Sequence, residues 1–218
     1  MPLSYWRLLR TGVAIPLAWY WIRQCRLPAG PLGRFVVGNM NQRHADLTAW
    51  GLQHAGPGPH PAALDIGCGG GRTLQRLAEM PGTTVVHGVD YSAASVAVSR
   101  KFNSGQVRIQ QASVSQLPFP DAAFDLITAV ETHYYWPNLP QDLREVHRVL
   151  KPGGTFLIIA EAYKGRSFNM LYQGSMKLIG GVYMSPDEHR DLLVQAGFSA
   201  VEIFLNDKKG WLCAKARG

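Results

Sequence analysis

Four glycines within five positions follow an acid in Ala62–Leu74, AALDIGCGGGRTL. Asp65, Gly67, Gly69 and Gly71 fall in it as D-x-G-x-G-x-G. A backbone this bare reaches positive φ without strain and lets a ligand come against the main chain. About twenty residues further on, an apolar run ends in Asp90, where a carboxylate accepts hydrogen bonds from ribose hydroxyls. A third group stands in "ETHYYW", with Glu131, His133, Tyr134 and Tyr135 side by side. His133 is able to take a proton near neutral pH, a tyrosine to orient a hydroxyl, and the aromatic rings to face a cation.

These residues need elements to hold them. Ala62–Ile66 reads as a short buried strand, and Arg72–Met80 as a helix with Leu74, Leu77 and Ala78 on one face. The glycines between them form the first strand-to-helix turn of a nucleotide-binding α/β fold, where a helix N-terminus offers free N–H groups. Thr83–Asp90 is a second strand, and Ser92 is the N-cap of the helix "SAASVAVSRKF". "QVRIQQASVSQLPFPDAAFDLITAV" supplies strands three and four, the fourth running from Phe124 to about Thr132. In "LPQDLREVHRVL", Leu143, Val146 and Leu150 share a face and Pro140 suits the first turn; Gly153 and Gly154 then end the helix, and "TFLIIAEA" is strand five. Tyr163–Met184 has no partner in the sheet. Ser185–Glu188 opens a last helix as a capping box, and "FSAVEIFLND" and "GWLCAKARG" close the chain as a hairpin around Asp207–Gly210.

The dinucleotide fingerprint G-x-G-x-x-G fails in both registers, because Arg72 and Leu74 stand where its third glycine belongs. The D-x-G-x-G-x-G run and R-V-L-K-P-G-G at 148–154 instead resemble the class I S-adenosylmethionine (SAM)-dependent methyltransferases, over about Ala62–Gly218. The resemblance implies a Rossmann-like, doubly wound, seven-stranded sheet, mostly parallel with an antiparallel last strand and helices on both faces. It implies SAM as cofactor and S-adenosylhomocysteine as product. Asp65, Gly67, Cys68, Gly69 and Gly71 would form the cofactor loop, and Asp90 and Tyr91 the ribose end. Ser113, Val114 and Val130 would complete the cofactor site. Ser113 departs from the family pattern, which has an acid for the adenine amino group; a hydroxyl accepts that bond more weakly. The chain then divides into an N-terminal helical arm or lid, 1–61, and a SAM-binding domain, 62–218, with a substrate-cap insertion at 163–184. "MNQRHADLTAWGL" resembles the approach helix of some small-molecule members.

Methyl transfer from a sulfonium is an in-line displacement, so the protein mainly positions two reactants and excludes water. A base is needed only where the acceptor keeps its proton. Glu131, His133, Tyr134 and Tyr135 lie where the methyl group should be, at the end of strand four, and Glu161 at the end of strand five faces the same pocket. His147, beside an apolar helix face, reads as structural. The chain lacks the Asx-Pro-Pro-aromatic run of many amide and exocyclic nitrogen methyltransferases and the nucleophilic cysteine of a cytosine C5 enzyme. It also lacks an added basic domain, so no nucleic-acid partner is expected. A small-molecule acceptor, lipid-like ones included, fits best. An RNA or protein acceptor is the alternative that the positive charge favours, and SAM binding without catalysis the one that Ser113 suggests.

With 218 residues, 46% of them hydrophobic, the chain buries one full core. Cys25, Cys68 and Cys213 lie far apart, which fits neither a disulfide framework nor a zinc site and suits a reducing cytosol; no metal is expected. The net charge of +7 is unevenly spread: up to Arg43 there are six arginines, no lysine and no acid. Among them Val13–Ile22 is too short to span a bilayer and is interrupted by Pro16. No A-x-A cleavage site follows it. Arginines beside Trp6, Trp19, Tyr20 and Trp21 have the composition of an interfacial segment. Residues 1–28 therefore read as a packed helix, a lid over the site or a membrane-surface contact, on a protein that is cytoplasmic or peripheral to a membrane.

Overall fold

Near-continuous apolar runs build the central strands, because successive side chains face opposite sides and helices cover both faces of the sheet. The computed structural model describes Gln24, residues 26–165 and residues 180–218. Val13–Ile22 and its flanking tryptophans, and residues 166–179 of the insertion, lie outside the described residues. The strands are β1 (Ala62–Ile66), β2 (Val85–Asp90), β3 (Val107–Gln111), β4 (Phe124–Val130), β5 (Leu150–Ala160), β6 (Ser199–Asn206) and β7 (Trp211–Arg217). They lie in the order β3-β2-β1-β4-β5-β7-β6, with β7 antiparallel to both its neighbours and the other pairs parallel. The chain runs outward from β1 through β2 to β3, then returns to β4 on the other side of β1. That reversal opens a crevice beyond the carboxyl ends of β1 and β4, the place where such sheets bind ligands.

Helices cover both faces: α1 (Gly30–Arg43), α2 (Ala45–Leu52), α3 (Arg72–Ala78), α4 (Ala93–Phe102), α5 (Leu139–Val149) and α6 (Pro186–Gln195). Leu64, Phe156 and Ile158 meet Leu143 and Val146 of α5 and Leu193 of α6 in one core. Ala63, Leu157 and Ile159 meet Leu47 of α2 and Leu74 and Leu77 of α3 in the other. Each such buried leucine or isoleucine contributes about 1.5–3 kcal/mol over its exposed state. Gly51 lets α2 lie directly on β5, since a Cβ there would stand 2.5 Å from Ile159 Cδ1. The region just before β1 is thus part of the sheet's cover. Among the described residues no helix is long and apolar enough to cross a membrane.

The caps follow the sequence. Ser92 accepts the Ser95 N–H at 3.2 Å, and Ser185 and Glu188 make both bonds of a capping box. One expectation fails. Gly153 and Gly154 do not end α5: the helix stops at Val149, and Leu150 is already extended with φ −80° and ψ 136°. The glycines lie inside β5, where Leu150 is opposite Phe124 but Thr155 is opposite Leu126. They form a bulge, with Gly153 at φ +75° and its N–H on the C-terminal Gly218 carbonyl at 3.0 Å.

Candidate active site

A cavity of about 240 Å³ occupies the crevice. Its first end is made largely of backbone. Gly67, Gly69 and Gly71 take φ of +76°, +51° and +83°. Two of them answer to the protein's own packing: a Cβ on Gly67 would lie 2.4 Å from Thr132 Cγ2, and one on Gly71 2.3 Å from Ser99 Oγ. Gly69 differs. Around its Cβ position the nearest atom is a carbonyl oxygen at 4.0 Å, and the residue lines the cavity. Its bareness therefore leaves room for a ligand.

Asp90 holds this loop in shape. It is 7% exposed, accepts the Gly69 N–H on Oδ2 at 2.9 Å, and accepts the Ser92 N–H on Oδ1 at 2.8 Å. Burial raises its proton affinity, and these two bonds oppose the rise. Each carboxylate oxygen accepts more than one bond, so the side chain still has capacity for ribose hydroxyls. Tyr91, Ser113 and Val114 continue the wall, with Ile66 and Val89 as apolar neighbours. The N-terminal region closes this end from above: the Tyr91 hydroxyl donates to the Arg26 carbonyl at 2.6 Å, and Ser92 Oγ to the Pro28 carbonyl at 2.7 Å.

The second end is made of side chains from distant parts of the chain. β4 stops at Val130 because Glu131 adopts φ +57°, a left-handed conformation uncommon outside glycine. The Glu131 N–H still donates to the Ile159 carbonyl at 2.9 Å. Its Oε1 accepts the Tyr134 hydroxyl at 3.1 Å and a short bond from the Glu161 N–H. His44, Thr48, Met40 and Val37 come from α1, α2 and their junction, and Tyr135 and Trp136 from the turn after β4; all line the cavity with Glu131. Burial, then the charge of Glu161, push Glu131 up to about 7. Burial works upward on Glu161 too, but His44 and Arg43 outweigh it and hold this acid below its ordinary range.

Most residues expected at the cofactor line the cavity: Gly67, Cys68, Gly69, Asp90, Tyr91, Ser113, Val114 and Val130. Asp65 and Gly71 do not. Asp65 is 1% exposed beneath the loop, bonded to the Thr128 hydroxyl at 2.6 Å and pushed by burial up to about 7. Of the residues expected at the methyl group, Glu131 and Tyr135 are on the wall. His133 and Tyr134 face the core. His133 Nε2 lies 3.1 Å from His189 Nε2, and burial, then His189, lower its proton affinity well below the ordinary histidine range. Tyr134 is tied to the site by its bond to Glu131. Glu161 stands behind Glu131, with Arg43 Nη2 at 2.8 Å and His44 Nε2 at 3.8 Å. His147 packs edge-on against Phe198. The sequence reading missed His44, Thr48, Met40 and Val37 as site residues; the approach-helix pattern of 40–52 is the cue for the first three, and Val37 has none.

Residues 64–158 match the family model described as a methyltransferase domain. An uncharacterized methyltransferase from Synechocystis, sll0829, is 33% identical over 159 residues, covering 69% of this chain and 72% of that protein. The chain belongs to the SAM-dependent methyltransferases. A demethylmenaquinone methyltransferase of Symbiobacterium thermophilum is 35% identical over 129 residues, 56% of this chain and 50% of that one. Across the first curated relatives the match spans from 39% to 72% of the relative's length. In fold, the methyltransferase is similar to a putative Haloferax volcanii methyltransferase in complex with the activator Trm112. The TM-score is 0.74 at 21% identity, with 83% of this chain and 92% of that chain covered. The seven-stranded sheet is thus the family's sheet, and SAM is the methyltransferase's cofactor. The first end of the cavity fits this group: Gly69 leaves open space, Asp90 offers carboxylate oxygens, and Ile66, Val89 and Val114 offer apolar walls for a flat base.

Proposed function

We propose that this methyltransferase methylates a small, largely apolar, lipid-like acceptor whose nucleophilic atom meets Glu131. One observation carries the reading. The cavity continues from the nucleoside cradle into a wall of Val37, Met40, Tyr135 and Trp136, with Glu131, His44 and Thr48 among its polar points. One relative is named a demethylmenaquinone methyltransferase. SAM, when bound, supplies a methyl group on a sulfonium that is already a good leaving group.

The chain's residues do the rest. Asp90 takes the ribose hydroxyls, Ser113 accepts from the adenine amino group, and Gly69 lets the cofactor lie on the backbone. Tyr135 and Trp136 exclude water and hold the apolar body of the acceptor. Glu131 takes the acceptor's proton: the acceptor X–H bond breaks, its electron pair forms the X–CH₃ bond, and the pair of the broken C–S bond stays on sulfur. A carboxylate pushed up to about 7 is matched to that task near neutral pH. The test is transfer of radiolabelled methyl from SAM to a panel of apolar hydroxyl and amine compounds, to RNA and to proteins. Turnover on the apolar compounds supports the reading; turnover confined to RNA or protein contradicts it.

A further inference from the structure

Glu131 is not isolated behind the cavity wall. Among the described residues, the charged and titratable groups facing it come from three places: Arg43 and His44 at the junction of α1 and α2, Tyr134 from the turn after β4, and Glu161 from the end of β5. Glu131 and Glu161 are tied together, since the Glu161 N–H donates to Glu131 Oε1. Glu161 Oε1 also carries Arg43 Nη2 at 2.8 Å, with His44 Nε2 at 3.8 Å. Arg43 has 68% of its side chain exposed, whereas Glu161 has 21%. The row runs from solvent to the acceptor: Arg43, Glu161, Glu131, cavity.

We propose that the Arg43–Glu161 ion pair controls whether Glu131 can take the acceptor's proton, which makes Arg43 and Glu161 positioning residues for methyl transfer. The physical reason is the alternation of charge. An unpaired Glu161 carboxylate beside Glu131 disfavours a second negative charge, and the Arg43 guanidinium, together with His44, cancels part of that repulsion. Neither residue lines the cavity, so neither touches cofactor or acceptor. Their effect on the reaction runs through Glu131. The inference rests on Glu131 as proton acceptor for its meaning in catalysis, but the coupling itself is measurable in the resting protein.

The alternation predicts opposite signs for two variants. Arg43→Met leaves Glu161 with only His44 beside it and moves the Glu131 titration to higher pH. Glu161→Gln removes the neighbouring charge, keeps the backbone N–H on Glu131, and moves the titration to lower pH. Each shift should be about 0.5–1 pH unit, roughly three- to tenfold in proton affinity. The double variant should follow Glu161→Gln, because Arg43 acts through Glu161.

The probe is the carboxyl carbon signal of Glu131 in ¹³C-glutamate-labelled protein without acceptor, assigned by its loss in Glu131→Gln. S-adenosylhomocysteine affinity serves as the folding control and should stay within about twofold. Opposite shifts with the double variant tracking Glu161→Gln support the inference. No shift, or shifts of the same sign, overturn it. Turnover of Glu131→Gln tests the proton-acceptor reading separately. Coupling without a loss of turnover would remove Glu131 from the chemistry, while a loss of turnover without coupling would remove only the positioning role.

Discussion

The two ends of the cavity are built in different ways. The cofactor end centres on one strand-to-helix turn held by backbone: three glycines at positive φ, and a carboxylate bonded to the N–H groups of Gly69 and Ser92. The proposed acceptor end is assembled from His44, Glu131 and Tyr135, with Glu161 behind, residues that lie up to 117 positions apart (161 − 44 = 117). A backbone-built end tolerates few changes of shape but depends little on its neighbours. A side-chain-built end changes its chemistry with one substitution and leaves the fold standing. If this contrast is right, cofactor binding and methyl transfer should separate cleanly under mutation.

The largest effect should come from the glycines. Gly67→Val places a side chain into Thr132 on a residue at φ +76°, so the crevice should not close and cofactor binding should be lost altogether. Gly69→Ala meets no protein atom closer than 4.0 Å. It should leave a folded protein, shown by an intact circular dichroism spectrum and cooperative melting, yet weaken SAM at least tenfold, because the methyl group stands in the ligand's space. If Gly69→Ala binds SAM as well as wild type, the loop is a structural turn and the contrast breaks.

Next in size is Glu131→Gln. Turnover should fall by about 10²–10⁴-fold with SAM affinity unchanged. The same variant should be more stable than wild type at pH 8. The Glu131 carboxyl titrates at about 7 in the fold, against an ordinary 4.5, so the native state binds the extra proton and stability falls as pH rises through that window. Glutamine removes the loss. Thermal melts should therefore show a gain at pH 8 that disappears at pH 4.

Asp90→Ala should weaken SAM by about 2–4 kcal/mol, from lost charge-assisted bonds to ribose and a looser loop. Calorimetry reads this directly, and an unchanged dissociation constant would leave Asp90 as a loop brace only. The smallest effect should be Ser113→Asp. A carboxylate is a stronger acceptor than a hydroxyl for the adenine amino group, so affinity should hold or rise by a few-fold. A large loss in a folded variant would show that adenine does not lie against this residue.

The same contrast explains what the sequence discloses. The glycine spacing, Asp90 and the strand-helix alternation are local patterns, and the sheet order, the caps and most of the cofactor wall follow from them. The K-P-G-G bulge misled because glycines commonly end helices, and only pairing with β4 shows that Leu150 has already entered a strand. The acceptor end is less legible. His133, Tyr134 and Tyr135 form a single tight turn with about three residues per revolution, so they cannot all face the cavity. Tyr135 takes the cavity, and the other two take the core. Composition cannot tell which, because all three are able to work in either place. His44 reaches the site through the packing of α2 on β5, which Gly51 permits, and the approach-helix pattern around residue 44 does not say which of its side chains turns to the cavity.

The separation of the two ends is the central claim, and one calorimetric comparison tests it: S-adenosylhomocysteine titrated into wild type, Asp90→Ala and the double variant His44→Ala/Glu131→Gln. The account predicts that wild type and the double variant bind within about twofold of one another, while Asp90→Ala binds roughly 30- to 1000-fold more weakly. Equal losses in Asp90→Ala and the double variant, or no binding by wild type, would contradict it.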